Sequence, residues 1–265
     1  TCSLFTEVNF TYSSGTFTVD TVTFSSAYTH NITTAAGFSF NNVVHQNNSG
    51  PLTLKNDITI SNNFTSASYT TVATYIIYVQ GDLTYTTGSN SYWQSPVVLS
   101  GSKTQQVNLS GNNCWGSTFK IQKTGGEAVL KSNWSNTGNT CDITIDTGVL
   151  NMNGYSYLHA ATYAGDLTIN AGGTLRMKGT EAFDLYALQP YTNGNPNFYP
   201  AGGTLEFIGD GSAATSDSIM TDTDWSGIST ASVNIKISPT NSSDTILLPS
   251  GATCMASVNN LTVTG

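Results

Sequence analysis

Any chemistry in this 265-residue chain must draw on twelve Asp, four Glu, seven Lys, one Arg, three His and four Cys. Paired carboxylates are the first possibility. Glycoside hydrolysis needs two of them ~5–9.5 Å apart, and lyase cleavage of an acidic polysaccharide needs a base beside a cation that stabilises the enolate. Asp57, Asp82, Asp142 and Asp166 each open a strand-like run, so they can stack as a row of carboxylates up one corner. Asn or Val holds the same place in other runs, and an Asp at a strand start is commonly a turn cap. Capping is therefore the expectation. Asp210, Asp217, Asp222 and Asp224, in "GDGSAATSDSIMTDTDW", form the densest acidic stretch. Clustered oxygens suit calcium, which makes these four the calcium candidates. EF-hand spacing is missing, and a solvated loop without metal is expected.

Arg176 is the single arginine, beside Lys178 in "TLRMK" and far in sequence from any obvious carboxylate partner; a structural role is expected. His30, His45 and His159 lie in polar strand or turn contexts. GxSxG, HExxH, P-loop and GxGxxG patterns are missing. The expectation is a chain with no catalytic residue and no cofactor, not an enzyme.

Composition narrows the partners. Charged residues make up 9% of the chain, against ~25% in an ordinary soluble domain. Solubility rests instead on 72 Ser and Thr and 26 Asn, while 38% apolar and 11% aromatic residues exclude ordinary disorder. A net charge of −8 with eight basic residues disfavours nucleic acid. No apolar run is long enough for a membrane span. The chain opens "TCSLF" without Met, as a processed chain or a fragment would. Cys2, Cys114, Cys141 and Cys254 form no CxxC pair, which favours disulfides in an oxidising compartment over zinc. N-x-S/T sequons begin at Asn9, Asn31, Asn47, Asn63, Asn108, Asn133, Asn241 and Asn260, the candidates for glycosylation. An extracellular, cell-surface location is expected.

The elements that must position these residues are short strands. A phrase of alternating apolar and polar residues recurs as "VNFTY", "NITTA", "DITIS", "DLTYT", "VNLSG", "DITID", "DLTIN", "TLEFI", "VNIKI" and "NLTVT", from Val8 to Asn260. Most intervals lie near 25 residues, which marks a solenoid whose repeats are stacked coils. Further runs such as "PLTLK" and "TLRMK" supply a second or third strand to each coil, with Leu, Ile, Val and Phe inward and Thr, Ser and Asn outward. A β-sandwich is the rival fold, but it has no need for one phrase at this spacing. Asn pairs at 41–42, 47–48, 62–63, 112–113 and 259–260 fall at strand ends. There Asn can adopt the left-handed conformation of a corner or bond to the coil beside it. Trp93, Trp115, Trp134 and Trp225 are expected in core or corner packing. Phe183, Tyr186, Tyr191, Phe198 and Tyr199, with Asn between them, form a loop suited to stack on sugars or to anchor an interface.

Stretches such as "GDLTINAGGTLRMKG" and "CDITIDTGVLNMNGYSYL" resemble the repeats of secreted prokaryotic surface proteins with right-handed β-helices, of adhesin and pectate-lyase-like type. That resemblance implies an all-β chain, 1–265 a single right-handed parallel β-helix of about ten coils near 25 residues each. Loop insertions are expected at about 112–135 and 180–202. Known members with enzymatic activity carry clustered carboxylates, often with calcium, arginine or lysine.

Cys114 and Cys141 are 27 residues apart, close to one coil, and can bridge adjacent coils. Cys2 and Cys254 fall near opposite ends, some ~40–50 Å apart at the spacing of stacked strands, so they can meet only between subunits. The function expected is an extracellular structural subunit of a filament or adhesive fibre, a head-to-tail homopolymer. A carbohydrate-binding adhesin domain that contacts surface polysaccharide is the alternative, and a polysaccharide lyase or hydrolase the third reading.

Overall fold

The structure is a computed structural model; it describes residues 2–6, 9–46, 49–67, 70–71, 74–86, 92–109, 113–114, 117–136, 141–159, 166–181, 198–199, 201–211, 216–218, 233–241, 244–247 and 260–264. The chain is an all-β parallel solenoid, with no helix among the described residues. Every strand pairing among them is parallel, apart from an isolated bridge between Asn170 and Gly202. That pattern excludes the sandwich.

Each coil has up to three faces. The first face stacks twelve strand segments from Ser3–Thr6 through Thr21–Phe24, Asn42–His45 and onward to Thr204–Phe207, Asn234–Ile237 and Asn260–Val263. The second face stacks eight, from Ser39–Phe40 to Phe198–Tyr199. The third begins with six, from Phe10–Tyr12 to Asn113–Cys114. The second face counts about eight turns, slightly fewer than the ten coils expected. The coil length varies more than expected: Ser3 registers with Thr21, eighteen residues on, and Thr174 with Thr204, thirty on.

One loop expectation is corrected. Within 112–135, Ser117–Leu130 is a single fourteen-residue strand that continues from the second face to the first. Its "KTGGE" centre is polar because it turns a corner, not because it leaves the sheet. Gly126 makes that corner at φ +58°, where an added Cβ would sit 2.6 Å from the Lys103 carbonyl carbon, so a side chain is excluded both by conformation and by space. Of the expected 180–202 insertion, 182–197 and 200 lie outside the described residues, while Phe198–Tyr199 is a strand paired with Leu167 and Thr168.

The core follows from strand alternation. Leu150, Leu175, Leu205 and Ile235 lie in register on the first face, each at most 2% exposed. Burial of each such side chain contributes roughly 1.5–3 kcal/mol. An aromatic spine runs through the middle coils: Tyr85 to Trp93 at 4.7 Å, Phe119 to Trp134 at 4.8 Å and Trp134 to Tyr157 at 5.4 Å between ring centroids. Trp93 and Trp134 are thus core residues, as expected; Trp115 and Trp225 lie outside the described residues.

Candidate functional site

Asp and Asn at strand starts are corner acceptors. Asn42 Oδ1 accepts the backbone N–H of Asn63, Asn63 Oδ1 that of Asp82, and Asp82 Oδ1 that of Gln106, at 2.8–3.2 Å. Asp57 accepts from Ile76 and Asp142 from Asp166 in the same manner. Each side chain satisfies a backbone donor one coil onward, where the strand has not yet begun to pair. The four aspartates do not form one row. Asp57, Asp142 and Asp166 lead into the second face, whereas Asp82 leads into the first. Left-handed backbone is also not the main use of Asn: among the described non-glycine residues only Asn153 has positive φ.

Arg176 is where the structure departs most from expectation, because it has carboxylate partners. Its Nε donates to Glu206 Oε2 at 2.7 Å, and its Nη1 donates to both Glu127 oxygens at 3.0 Å. Lys236 donates to Glu206 Oε1 at 2.7 Å, and the Asn151 amide donates to Glu127 at 2.6 Å. The parallel register explains the cluster: Asn151, Arg176, Glu206 and Lys236 occupy one outward row on four successive coils. Burial pushes the Glu206 carboxyl up, but hydrogen bonds and charge from Lys236 and Arg176 outweigh it and hold the group below its ordinary value. Burial likewise opposes the Arg176 charge, while Glu206 and Glu127 more than restore it and raise its pKa. Two carboxylates and two cations balance. An ionised, doubly bonded Glu206 has no proton to donate as a general acid.

A second ion pair joins Lys120 to Asp146 at 2.8 Å on the second face. The Lys120 and Asn170 hydrogen bonds, in that order, lower the Asp146 pKa. Lys123 instead points into the solenoid, 3% exposed, and donates to Gln105 Oε1 at 2.5 Å. Gln105 donates in turn to the carbonyls of Val79 and Gly81. Burial brings the Lys123 ammonium down to about 8.

Among the described side chains, His30 and His45 form no accessible triad. His45 Nε2 lies 2.8 Å from the Gly50 carbonyl, an acceptor only, so it carries the proton and Nδ1 accepts from Ser66 Oγ at 3.2 Å. This Ser–His pair has the connectivity of a nucleophile and base, yet both residues are wholly buried and no substrate reaches them. Burial lowers His45 to about 4. The side chain of His159 lies outside the described residues.

Cys141 is disulfide-bonded. The side chain of Cys114, its expected partner, lies outside the described residues, although its strand is in the adjacent coil: Ser117, three residues on, registers with Cys141. Cys2 is free and exposed, and Cys254 lies outside the described residues. So do Asp222 and Asp224, the side chain of Asp217, and Phe183, Tyr186 and Tyr191 with the side chains of Phe198 and Tyr199. No group of three metal-ligating side chains occurs among the described residues.

The remaining unusual surfaces are the two ends of the first-face stack. Among the described residues, Ser3–Thr6 pairs only with Thr21–Phe24, and Asn260–Val263 only with Asn234–Ile237. Among the described residues, the outer edge of each has no strand beside it. Leu261 and Val263 continue the inward columns of Ile235 and Ile237, yet are 59% and 66% exposed, and Phe5 at the opposite end is 65% exposed. No protein-family model, curated protein or solved structure matches the chain.

Proposed function

We propose that the chain is an extracellular structural subunit that assembles end to end into a cell-surface filament or adhesive fibre. The observation that carries this reading is the pair of open strands at the two ends of one parallel stack, with inward-column apolar side chains bare at the final one. An unpaired strand edge is a template for another strand. The strand that fits Asn260–Val263 is parallel, with an apolar residue to set beside Leu261. Ser3–Thr6 of a second copy offers one, because Leu4 occupies the inward column of Val22. A contact between opposite ends does not close on itself, so repetition gives a filament.

The disulfide at Cys141 supports an oxidising location. Wall residues that bond through hydroxyls and amides give a surface with few charges. Cys2 is free and exposed, which leaves it available for the proposed cross-link to Cys254 of a neighbouring subunit. The first-face carboxylates weigh against the enzymatic reading, since Arg176 and Lys236 consume them.

Sedimentation velocity at rising protein concentration tests the proposal. The unsubstituted chain should form a growing series of species, and Leu261→Lys with Val263→Lys should leave a folded monomer. A monomer at every concentration without substitution would refute it. Non-reducing electrophoresis tests the cross-link separately: a ladder that collapses on reduction supports it, and a lone monomer band contradicts it.

A further inference from the structure

One concave surface remains unused by this account, on the outer side of the second face. Its floor is a column in register on successive coils: Ser39 beside the buried Phe40, Thr59 between Ile58 and Ile60, and Tyr78 between Ile77 and Val79. Its walls are corners between the third and second faces. The corner between Thr34 and Ser39 spans residues 35–38, the next only 55–57, and 74–76 are the described part of the third. The short middle corner leaves a groove of about 740 Å³, lined by Phe38, Asn56, Asp57, Tyr75 and Tyr78 among others.

The groove is rigid where it needs to be. Phe38 is wedged against Tyr12 at 4.3 Å and Phe40 at 4.8 Å between centroids. Tyr75 packs partly on the core. Asn56 ties two corners together, accepting from the Thr34 backbone N–H at 2.8 Å and donating to Thr34 Oγ1 at 2.7 Å and to the Asp57 carbonyl at 2.7 Å. Asp57 Oδ1 accepts from Ile76. Left over for a ligand are the second Asp57 oxygen and the hydroxyls of Tyr75, Tyr78 and Thr59, for which no bond is present among the described residues.

We infer that this groove binds a neutral oligosaccharide. Phenol rings offer flat apolar faces with a polar tip, which suits a ligand whose ring faces carry C–H and whose edges carry hydroxyls. A carboxylate oxygen accepts such hydroxyls strongly. Lys55 begins the short corner but is not among the residues that line the groove, whose one charged side chain is Asp57; a carboxylate in a chain of net charge −8 repels acidic sugars. The volume lies within the ~300–1,000 Å³ usual for ligand sites. The site is on a side wall, so its occupancy does not depend on end-to-end assembly.

Calorimetric titration with cellohexaose, mannohexaose, chitohexaose, hexagalacturonate and choline tests the assignment. At least one of the three neutral hexasaccharides should bind. Tyr78→Ala and Tyr75→Ala should each weaken that binding roughly tenfold, with unchanged far-ultraviolet circular dichroism, and Tyr78→Phe, which keeps the ring, should lose less. Three results overturn the inference: no neutral hexasaccharide binds; binding survives both alanine substitutions; or hexagalacturonate or choline binds more tightly than every neutral sugar.

Discussion

Leu261 lies directly in register with Ile235, one coil further along the same inward column, yet Ile235 is 1% exposed and Leu261 59%. Side chains of the same type and direction differ in whether a further described strand lies over them. Among the described residues, the inner strands of the first face pair on both sides, and its first and last strands pair on one. This contrast separates the parts of the molecule that hold it together from the part proposed to join it to its neighbours.

Stability should fall with acid because of His45. Its folded-state pKa of about 4 lies below the ~6.5 of the unfolded chain. As pH falls, the unfolded state takes up a proton that the native state refuses. The contribution is intact above about pH 6.5 and declines toward about pH 4, by about 3 kcal/mol in total. Urea midpoints across that range should follow this slope, and His45→Gln should flatten it; an equal slope in the variant would contradict the assignment.

Tyr85→Phe should stabilise the protein. Among the described residues, the Tyr85 hydroxyl is buried without a partner inside the aromatic spine, and burial raises its pKa. Removal of the oxygen leaves the ring packing and relieves the cost of an unsatisfied donor, a gain of about 1 kcal/mol. A rise in melting temperature checks it; a fall would mean that the hydroxyl makes a bond.

Arg176→Met should cost about 3 kcal/mol, because it leaves Glu206 buried with only Lys236 and strips the cation from Glu127. Lys236→Met, at a more exposed partner, should cost below about 1 kcal/mol. Denaturation of both variants checks the ranking, and equal losses would contradict it.

Glycan occupancy should follow side-chain bonding. Asn31, Asn241 and Asn260 commit their Nδ2 to Asn9, the Gly211 carbonyl and Asn234. Asn9, Asn63 and Asn133 are exposed and, among the described residues, bond through their oxygens alone. In a glycosylating host, glycopeptide mass spectrometry should find sugar on the second trio and not the first; the reverse would contradict this ordering.

The coiled architecture was legible because strand alternation is local: "DITIS" announces its buried and outward residues wherever it occurs. The coil length was less so. "VNFTY" and "NITTA" lie on the third face, "DITIS", "DITID" and "DLTIN" on the second, and "DLTYT", "VNLSG", "TLEFI", "VNIKI" and "NLTVT" on the first. The phrase marks a strand, not a place in the coil, so its near-regular spacing mixed three columns. For the same reason Arg176 seemed isolated. Glu206 and Glu127 are thirty and forty-nine residues away, at separations set by two unequal coils. The groove was hidden more deeply, since its lining comes from corners on three successive coils and not from any motif.

Electron cryomicroscopy of the unsubstituted protein tests the central claim most directly. Twelve first-face strands at ~4.8 Å spacing give a subunit about 58 Å long. The account predicts unbranched filaments with that axial repeat and strand spacing continuous across each junction. Isolated particles at high concentration, or assemblies joined through the side walls with both end strands still bare, would contradict it.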